Sequence, residues 1–273
     1  MKELLIRAIS GFFYAALFLL SLQSQHAIII LFFIFGLIAL AEFKKLIGLK
    51  SWVPYLIFTV LYVVFGYWQI FIKSYEGFDE AVQILHVLTI FVQLFLIKDL
   101  FSERPLPSFV TGRYINTTFY LSSAFIFIIL IANYNNTFKP VIILGSFILM
   151  WVNDSFAYLV GKNFGRQKLF PKISPKKTVE GFLGGLFFAC VSSYFIAKYS
   201  DNLTFNNWLI LAIIISVFGT LGDLIESKFK RQAGVKDSGI IMPGHGGILD
   251  RLDSIIFAAP FIYLFLRLIK HVS

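Results

Sequence analysis

The hydrophobic pattern divides the chain into long apolar runs separated by short polar loops. A helix of about 20 apolar residues crosses the hydrocarbon core of a bilayer. Nine runs approach that length, so the pattern predicts an all-α polytopic membrane protein with about nine transmembrane helices. The runs are Leu4–Leu22, Ala27–Phe43, Trp52–Ile72, Ala81–Ile97, Thr118–Ala132, Pro140–Val160, Gly181–Ala197, Trp208–Asp223 and Ser254–Ile269.

Composition agrees with this membrane interpretation. Hydrophobic residues make up 58% of the chain and charged residues 14%, whereas soluble domains are about half apolar and about a quarter charged. The first run lacks a convincing small-x-small cleavage site after Leu22, so we interpret it as a retained span. The single Cys190 excludes a disulfide framework. We expect one integral membrane domain over residues 1–273, made of N-terminal helices in 1–135 and C-terminal helices and loops in 140–273.

The basic residues are distributed unequally between the two predicted sides of the membrane. If the N-terminus is cytoplasmic, 19 of the 24 Lys and Arg residues lie on the cytoplasmic side. This asymmetry follows the positive-inside rule and supports both the orientation and the count of nine helices. The net charge of +9 is therefore mostly a property of topology. We expect no nucleic-acid partner, because the charge is spread over short loops.

Two of the predicted cytoplasmic loops are much more polar than the rest of the chain. They are Gly161–Glu180 and Glu226–Asp253, and both can converge on one site at the cytoplasmic side. The second loop surrounds a glycine-rich turn at residues 243–247 with charged side chains. Those side chains are Lys228, Lys230, Arg231, Lys236, Asp237, Asp250, Arg251 and Asp253. This combination indicates a site for a phosphorylated substrate and a metal ion.

Helical spacing arranges the acids of the second loop. If the eighth helix continues, Asp223 shares a face with Ser227 and Lys230. An acid at a membrane boundary is costly and indicates function by default. Asp250 and Asp253 lie three residues apart at the start of the last helix, where capping is the alternative role for each. Carboxylates from two helix ends suit Mg²⁺ bridging phosphate oxygens.

The glycine turn adds two further candidates. The backbone of Gly246 and Gly247, at a helix N-terminus, can approach and bind an anion. His245 is the only polar side chain within that turn. It would contact phosphate, orient Asp250 or simply stabilise the turn.

The first loop contains an informative conflict. Ser174 and Pro175 are typical of an N-cap and a first helical residue. Lys176 and Lys177 would then lie in the first turn, where the helix dipole disfavours cations. They would either anchor the loop on the cytoplasmic side or hold a phosphate against the helix end. Asp154, inside the sixth run, either pairs with a loop cation or lines the same site.

Two other polar residues in apolar runs favour simpler interpretations. Glu42 lies near a cytoplasmic helix end and is explained by snorkelling or a local ion pair. His86, in the fourth run, is interpreted as a hydrogen-bonded packing residue.

The residues also match a known family. The run S-x-F-K-R-x₄-K-D-x-G-x₃-P-x-H-G-G-I-x-D-R-x-D, from Ser227 to Asp253, closely resembles the C-terminal motif of phosphatidate cytidylyltransferases, also called CDP-diacylglycerol synthases. The upstream run from Asn153 to Gly185, with Ser174-Pro175-Lys176-Lys177-Thr178-Val179-Glu180-Gly181 at its centre, is similar to the same family. Residues 1–135 resemble it only in length and hydropathy. Met242 stands where the family usually has a branched aliphatic residue or Phe, which is a packing change.

The resemblance implies a reaction and a set of roles. CTP and phosphatidate would give CDP-diacylglycerol and pyrophosphate for phospholipid synthesis in a bacterial cell (inner) membrane. Asp223 and Asp250 would carry Mg²⁺, with a second cation left open, and Asp253 would assist them. The triphosphate and leaving group would contact Lys228, Lys230, Arg231, Lys236 and Arg251, beside Asp237. Candidates for contacts with the substrate phosphates are Asp154, Ser174, Pro175, Lys176, Lys177, His245, Gly246 and Gly247.

Several alternatives remain at this point. A related CTP-dependent lipid enzyme, such as a polyprenol kinase or a CDP-archaeol synthase, would use similar chemistry. A membrane transporter would place charges near the midplane of several spans, whereas the acids here crowd one predicted face. A purely structural membrane scaffold would not need Asp223 and Asp250 beside a glycine turn. Membrane lipids are expected partners, and a homodimer is left open.

Overall fold

The computed structural model describes residues 2–71, 78–102, 110–244 and 246–272. Within these ranges the chain is mainly helical. The elements of the first half are α1 (Lys2–Ser21), α2 (Gln25–Leu46), α3 (Val53–Leu61), a π-helical segment (Tyr62–Trp68), α4 (Gln69–Phe71), α5 (Phe78–Leu100), α6 (Val110–Ile115), a second π-helical segment (Asn116–Ser122) and α7 (Ser123–Ala132). After a 3₁₀ turn (Tyr134–Asn136) come α8 (Pro140–Phe164), β1 (Lys168–Phe170), β2 (Ser174–Thr178), α9 (Val179–Tyr199), α10 (Phe205–Gln232) and α11 (Leu249–Val272).

Each predicted apolar run coincides with a helix or with a series of joined helical segments. Among the described residues, seven helical segments are long and apolar enough to cross a membrane. Two shorter apolar helices, Ile9–Ser21 and Val53–Trp68, fall in the first and third predicted runs. The all-α polytopic fold is therefore confirmed. The count of nine crossings and the cytoplasmic N-terminus stay predictions.

Two helices extend further than their apolar runs. Helix α8 continues past Val160 to Phe164, and α10 continues past Asp223 to Gln232. The extension of α10 is buried from Leu224 to Lys230, including Ile225 and Phe229, so packing stabilises it where hydropathy alone would end the span. These extensions carry the polar loops beyond the apolar part of the bundle.

The C-terminal helices pack closely because small residues lie at their crossings. A Cβ atom on Gly185 of α9 would stand 2.6 Å from the carbonyl oxygen of Asn153 in α8. A Cβ atom on Gly222 of α10 would stand 2.8 Å from the carbonyl oxygen of Asp253 in α11. Small residues at such crossings let two backbones approach closely within a membrane. Asp223 and Asp253, on two different helices, are brought near each other by the second crossing.

The loop Gly161–Glu180 contradicts one sequence prediction. Ser174 and Pro175 do not begin a helix; they lie in β2, which pairs with β1 in an antiparallel hairpin with Lys168 opposite Thr178. Helix α9 begins at Val179, and the Thr178 hydroxyl caps it by accepting a hydrogen bond from the Gly181 N–H at 3.1 Å. Thr is a favoured N-cap residue, and this start leaves the two adjacent lysines outside the helix. The predicted conflict between those lysines and the helix dipole is thereby absent.

Candidate active site

Three carboxylates meet where α10 crosses α11. Asp223 and Glu226 lie on one face of α10, and Asp253 lies in the second turn of α11. Oxygens of these three side chains lie within 4.8 Å of one another, and Glu226 is fully buried. Carboxylates this close repel one another unless a cation neutralises them. We call Asp223, Glu226 and Asp253 the acidic cluster.

Two lysines partly neutralise the acidic cluster. The Lys177 ammonium, from β2, lies 2.5 Å from Asp223 Oδ2, and the Ser227 hydroxyl donates to Asp223 Oδ1 at 3.2 Å. Lys230 forms an ion pair with Glu226. The guanidinium of Arg231 also reaches the hairpin, donating to the Ile173 carbonyl at 3.4 Å. The prediction that the two polar loops converge is therefore confirmed.

Asp250 occupies a different position from the acidic cluster. Its Oδ2 atom accepts hydrogen bonds from the Ser238 N–H and hydroxyl, both at 2.8 Å, and from the Gly247 N–H at 2.7 Å. Its Oδ1 atom accepts from Lys230 at 2.7 Å. These contacts tie the connector between α10 and α11 to the start of α11. The structure thus groups Asp223 with Glu226 and Asp253, and places Asp250 on the other side of Lys230.

Glu42 of α2 is hydrogen-bonded to the backbone at the start of α11. It is 4% exposed, and its carboxylate accepts from the N–H groups of Ile248 at 3.2 Å and Leu249 at 2.8 Å. A Cβ atom on Gly239 or Gly247 would overlap this carboxylate. The interpretation of Glu42 as a snorkelling residue or a local ion pair is therefore wrong. It is a helix cap supplied from a distant part of the chain.

The backbone N–H groups after the glycine turn are consequently hydrogen-bonded to carboxylates of the protein itself. The sequence predicted that the backbone at Gly246 and Gly247 would bind an anion at a helix N-terminus. Gly246 adopts a φ of +85°, which suits glycine, and the Gly247 N–H points to Asp250. The start of α11 does bind anions, but they are Glu42 and Asp250. His245 lies outside the described residues.

Some of the other candidate residues bind backbone carbonyls of the protein, and others are exposed. Lys228 is buried, and its ammonium donates to the carbonyls of Asp99 at 2.5 Å and Ser102 at 2.9 Å, at the end of α5. It faces away from Asp223 because its position on α10 lies on another side of the helix. Arg231 donates to the Val235 carbonyl as well as to the hairpin. The exposed candidates are Pro175, Lys176, Lys236, Asp237 and Arg251, and Ser174 is half-buried.

Asp154 of α8 faces the acidic cluster from a third helix. Asn153 Nδ2 donates to its Oδ1 atom at 3.2 Å. Its carboxylate interacts electrostatically with Asp223, Lys177 and Arg251. These neighbours support Asp154 as a polar lining of the site.

The acidic cluster has the chemistry of a site for a hard cation. All its potential ligands are carboxylate oxygens, the type that Mg²⁺ and similar ions prefer. The Oε1 atom of Glu226 is buried and has no hydrogen-bond donor among the described residues. An oxygen left in that state fits a cation that would take it as a ligand. The cluster could therefore hold a metal ion.

Comparisons with known proteins agree with this geometry. The model of the cytidylyltransferase family matches residues 5–269. The chain is also 36% identical to the phosphatidate cytidylyltransferase of Bacillus subtilis (strain 168), over 98% of this chain and 99% of that protein. The chain belongs to the cytidylyltransferase family. The resemblance expected from the two motifs is confirmed, and the family match extends over the N-terminal helices that the motifs did not cover.

Other members of the family match a shorter segment more closely. The phosphatidate cytidylyltransferase of Staphylococcus aureus (strain COL) is 51% identical over 126 residues, which is 45% of this chain and 48% of that protein. That of Staphylococcus haemolyticus (strain JCSC1435) is 50% identical over 126 residues, with the same coverage. The chain thus aligns with about half the length of these staphylococcal members of the cytidylyltransferase family.

Two residues of this site were missed or misread from the sequence. Glu226 follows Asp223 by three residues, so the spacing that grouped Asp223 with Ser227 and Lys230 also places Glu226 nearby. Glu42 offers a weaker signal, an acid within an apolar run. The start of α11, Gly246-Gly247-Ile248, contains no Ser, Thr, Asp or Asn to act as a local cap. His86 is hydrogen-bonded to the Pro260 carbonyl at 2.8 Å, which confirms its interpretation as a packing residue.

Proposed function

We propose that this cytidylyltransferase-family protein transfers CMP from CTP to phosphatidate, giving CDP-diacylglycerol and pyrophosphate. The observation that carries the proposal is the acidic cluster, bordered by Lys177 and Lys230 at the junction of two polar loops. The names of the related proteins from Bacillus subtilis and Staphylococcus aureus support the choice of substrates.

The chemistry requires two polyanions to meet. An oxygen of the lipid phosphate attacks the α-phosphorus of CTP, and the bond from that phosphorus to the pyrophosphate oxygen breaks. The attacking phosphate is already an anion at neutral pH, so the site needs charge neutralisation and alignment more than a strong base. Bound Mg²⁺ would supply that neutralisation as a Lewis acid. Asp223, Glu226 and Asp253 would hold it, and a ligand role for Asp250 stays a prediction.

The protein's own residues supply the rest of the arrangement. Lys177 neutralises Asp223 from the hairpin, and Lys230 links the acidic cluster to Asp250. The exposed cations Lys176, Lys236 and Arg251 are free of the helix-capping role that occupies Lys228, so we assign them to the substrate phosphates. Charge-assisted contacts of this kind are the strong ones for phosphate.

The fold suits a lipid substrate. The site lies at the end of a bundle whose apolar helices would place it at a membrane surface. We assign the protein to the bacterial cell (inner) membrane, with the site on the cytoplasmic side where CTP is available. Membrane lipids then surround the bundle and deliver phosphatidate laterally.

The test uses purified protein in mixed micelles containing phosphatidate, Mg²⁺ and labelled CTP. We expect equal amounts of pyrophosphate and CDP-diacylglycerol, with no product from Asp253→Asn. Asp201→Asn changes an exposed acid in the turn between α9 and α10 and serves as the matched control. Release of CDP with a phosphorylated polyprenol, or selective use of an archaeal-type lipid, would favour the related enzymes instead. Substrate flux in liposomes without CTP turnover would favour a transporter.

A further inference from the structure

Two polar side chains buried inside the bundle have no partner among the described residues. The Tyr120 hydroxyl and both amide atoms of Gln93 are buried and lack any hydrogen bond. Both residues are 0% exposed. Buried polar atoms in folded proteins are nearly always satisfied, so such exceptions indicate an ion, a water or a ligand that completes them.

Tyr120 lies beside the acidic cluster. Its ring centroid lies 5.9 Å from that of Phe229 and 6.3 Å from that of Phe257. Phe229 follows Glu226 by about one turn of α10, and Phe257 follows Asp253 by about one turn of α11. The ring is thus held between residues that share helix faces with two of the acids. The carboxylates that interact electrostatically with its hydroxyl are Glu226, Asp253 and Asp223.

The backbone at Tyr120 is also unusual. The residue lies in the π-helical segment Asn116–Ser122, between α6 and α7. Within it, the Ser122 hydroxyl donates to the Thr117 carbonyl at 2.6 Å. π-helical turns inside α-helices are rare and occur frequently at functional sites. The π-helical segment rotates Tyr120 about the helix axis, away from the position that a continuous α-helix from α6 would give it.

Gln93 approaches the same level of the bundle from α5. Two contacts fix the direction of α5: His86 meets the Pro260 carbonyl of α11, and the Asp99 carbonyl meets Lys228 near the end of α10. From His86, about two turns of α5 lead to Gln93, and from Pro260 about two turns of α11 lead back to Asp253. Gln93 and Asp253 therefore lie at similar depth. Burial of His86, Thr89 and Gln93 along one stripe of α5 places the amide on the inner face.

We propose that Tyr120 is a positioning residue of the acidic cluster, whose hydroxyl, unpaired in this structure, donates a hydrogen bond to an oxygen ligand of the divalent cation that the cluster would hold. Gln93, at a similar depth on the inner face of α5, would hydrogen-bond to the oxygen ligands around that cation from the α5 side. The inference rests on the proposed function, and it adds two N-terminal residues to a site that the motifs confined to the C-terminal half. Hydrogen bonds to metal ligands orient them, and their loss typically costs 10–100-fold in metal affinity.

A purely packing role for Tyr120 gives a different expectation. Its ring also contacts Phe43 at 5.4 Å, so it would stabilise the bundle as an aromatic residue alone. Tyr120→Phe would then remove an unsatisfied polar atom and keep every ring contact. Metal binding would be unchanged, and thermal stability would be unchanged or higher.

The experiment measures Mn²⁺ binding by electron paramagnetic resonance on the full-length protein in detergent, without nucleotide, together with thermal unfolding. We expect Tyr120→Phe to weaken Mn²⁺ binding about 10–100-fold without lowering the melting temperature. Gln93→Met should weaken it less. The matched control is Tyr62→Phe: Tyr62 is also buried in a π-helical segment, but its hydroxyl donates to the Ile29 carbonyl at 2.7 Å. This control should lower the melting temperature and leave Mn²⁺ binding unchanged.

The outcomes separate this inference from the proposed function. Wild-type Mn²⁺ affinity in both Tyr120→Phe and Gln93→Met would overturn the inference, while CDP-diacylglycerol synthesis by the wild type would keep the proposed function. A wild type that binds no Mn²⁺, or binds it equally well as Asp253→Asn, would overturn the inference together with the metal role of the acidic cluster, and CDP-diacylglycerol synthesis would still decide the proposed function.

Discussion

Two groups of acids lie at the same end of this bundle, and they have opposite surroundings. Glu42 and Asp250 accept backbone N–H groups from the start of α11 and from the connector before it. In the acidic cluster, Asp223, Glu226 and Asp253 instead lie within 4.8 Å of one another. We call the first pair the capping acids. The capping acids are satisfied by the fold, whereas the acids of the cluster face one another and are neutralised only in part by Lys177 and Lys230.

This contrast separates acids that stabilise the fold from acids that are proposed to take part in the reaction. The capping acids fix the position of α11, and α11 in turn carries Asp253 to the crossing with α10. Lys230 connects the two groups of acids, because it pairs with Glu226 in the acidic cluster and with Asp250 among the capping acids. Substitutions that affect only one group are therefore the means to test the contrast.

The largest effect is expected from neutralising the acidic cluster. Asp223→Asn and Asp253→Asn should each lower kcat/KM by about 10³-fold or more, because each would remove a proposed metal ligand. The melting temperature of Asp253→Asn should be unchanged or higher, since repulsion among the three acids falls. That of Asp223→Asn should be lower than that of Asp253→Asn, because it also loses the ion pair with Lys177. Pyrophosphate release and thermal unfolding in the same detergent check both expectations. A variant that loses its fold along with its activity would place that acid with the capping acids.

Lys230→Met should give the next largest effect. It keeps the length of the side chain but leaves Glu226 and Asp250 without their shared cation. Breaking a buried ion pair by removing one partner costs about 3–5 kcal/mol, so we expect a clear loss of stability as well as activity. Chemical denaturation in detergent measures the loss. Lys198→Met is the control. Lys198 lies in the last turn of α9, and its substitution should leave the free energy of unfolding nearly unchanged. Full stability of Lys230→Met would show that the two acid groups are independent.

Gly247→Ala tests the position of the capping acid Glu42 without changing any charge. The added Cβ would overlap the Glu42 carboxylate, and forcing a methyl group into a packed site costs about 1–3 kcal/mol. The free energy of unfolding should fall by about that amount, while kcat of the folded fraction changes little. Gly219→Ala is the matched control, since its Cβ would find its nearest neighbour at 3.4 Å. Equal stability of the two variants would contradict the close approach of Glu42 to the turn.

Lys228→Met should have the smallest effect. Its ammonium donates to two carbonyls at the end of α5 and to no member of the acidic cluster. Hydrogen bonds to a charged group contribute about 1.5–3 kcal/mol, so we expect a modest loss of stability. The KM for CTP should stay near the wild-type value. A large rise in that KM would restore the role in triphosphate binding that the sequence predicted for Lys228.

Much of the fold could be predicted because hydropathy acts locally. Within the described residues, all nine predicted runs correspond to helical segments, and the two charged loops meet as expected. The hairpin at Ser174–Thr178 was missed because Ser174 and Thr178 are both good caps, and sequence alone does not separate them. The choice depends on pairing with β1 and on the packing of Thr178 against α8, which are tertiary effects.

The roles of individual acids were harder to predict. Asp223 was identified because an acid at a membrane boundary is costly, and Asp253 because it lies three residues after Asp250 on one helix face, where it was expected only to assist. Glu42 was misread because its hydrogen-bond partners, Ile248 and Leu249, lie far away in the sequence. No local pattern reports such a contact, since it exists only when α2 packs against the start of α11.

One matched pair of substitutions tests the central contrast most directly. Glu226→Gln and Glu42→Gln remove the same charge from two almost fully buried glutamates, one in the acidic cluster and one among the capping acids. The measurement is the initial rate of pyrophosphate release from CTP and phosphatidate per folded molecule, with the folded fraction taken from thermal unfolding. The account predicts that Glu226→Gln folds normally and is nearly inactive, whereas Glu42→Gln is less stable but active once folded. Near-normal activity per folded molecule in Glu226→Gln would contradict it.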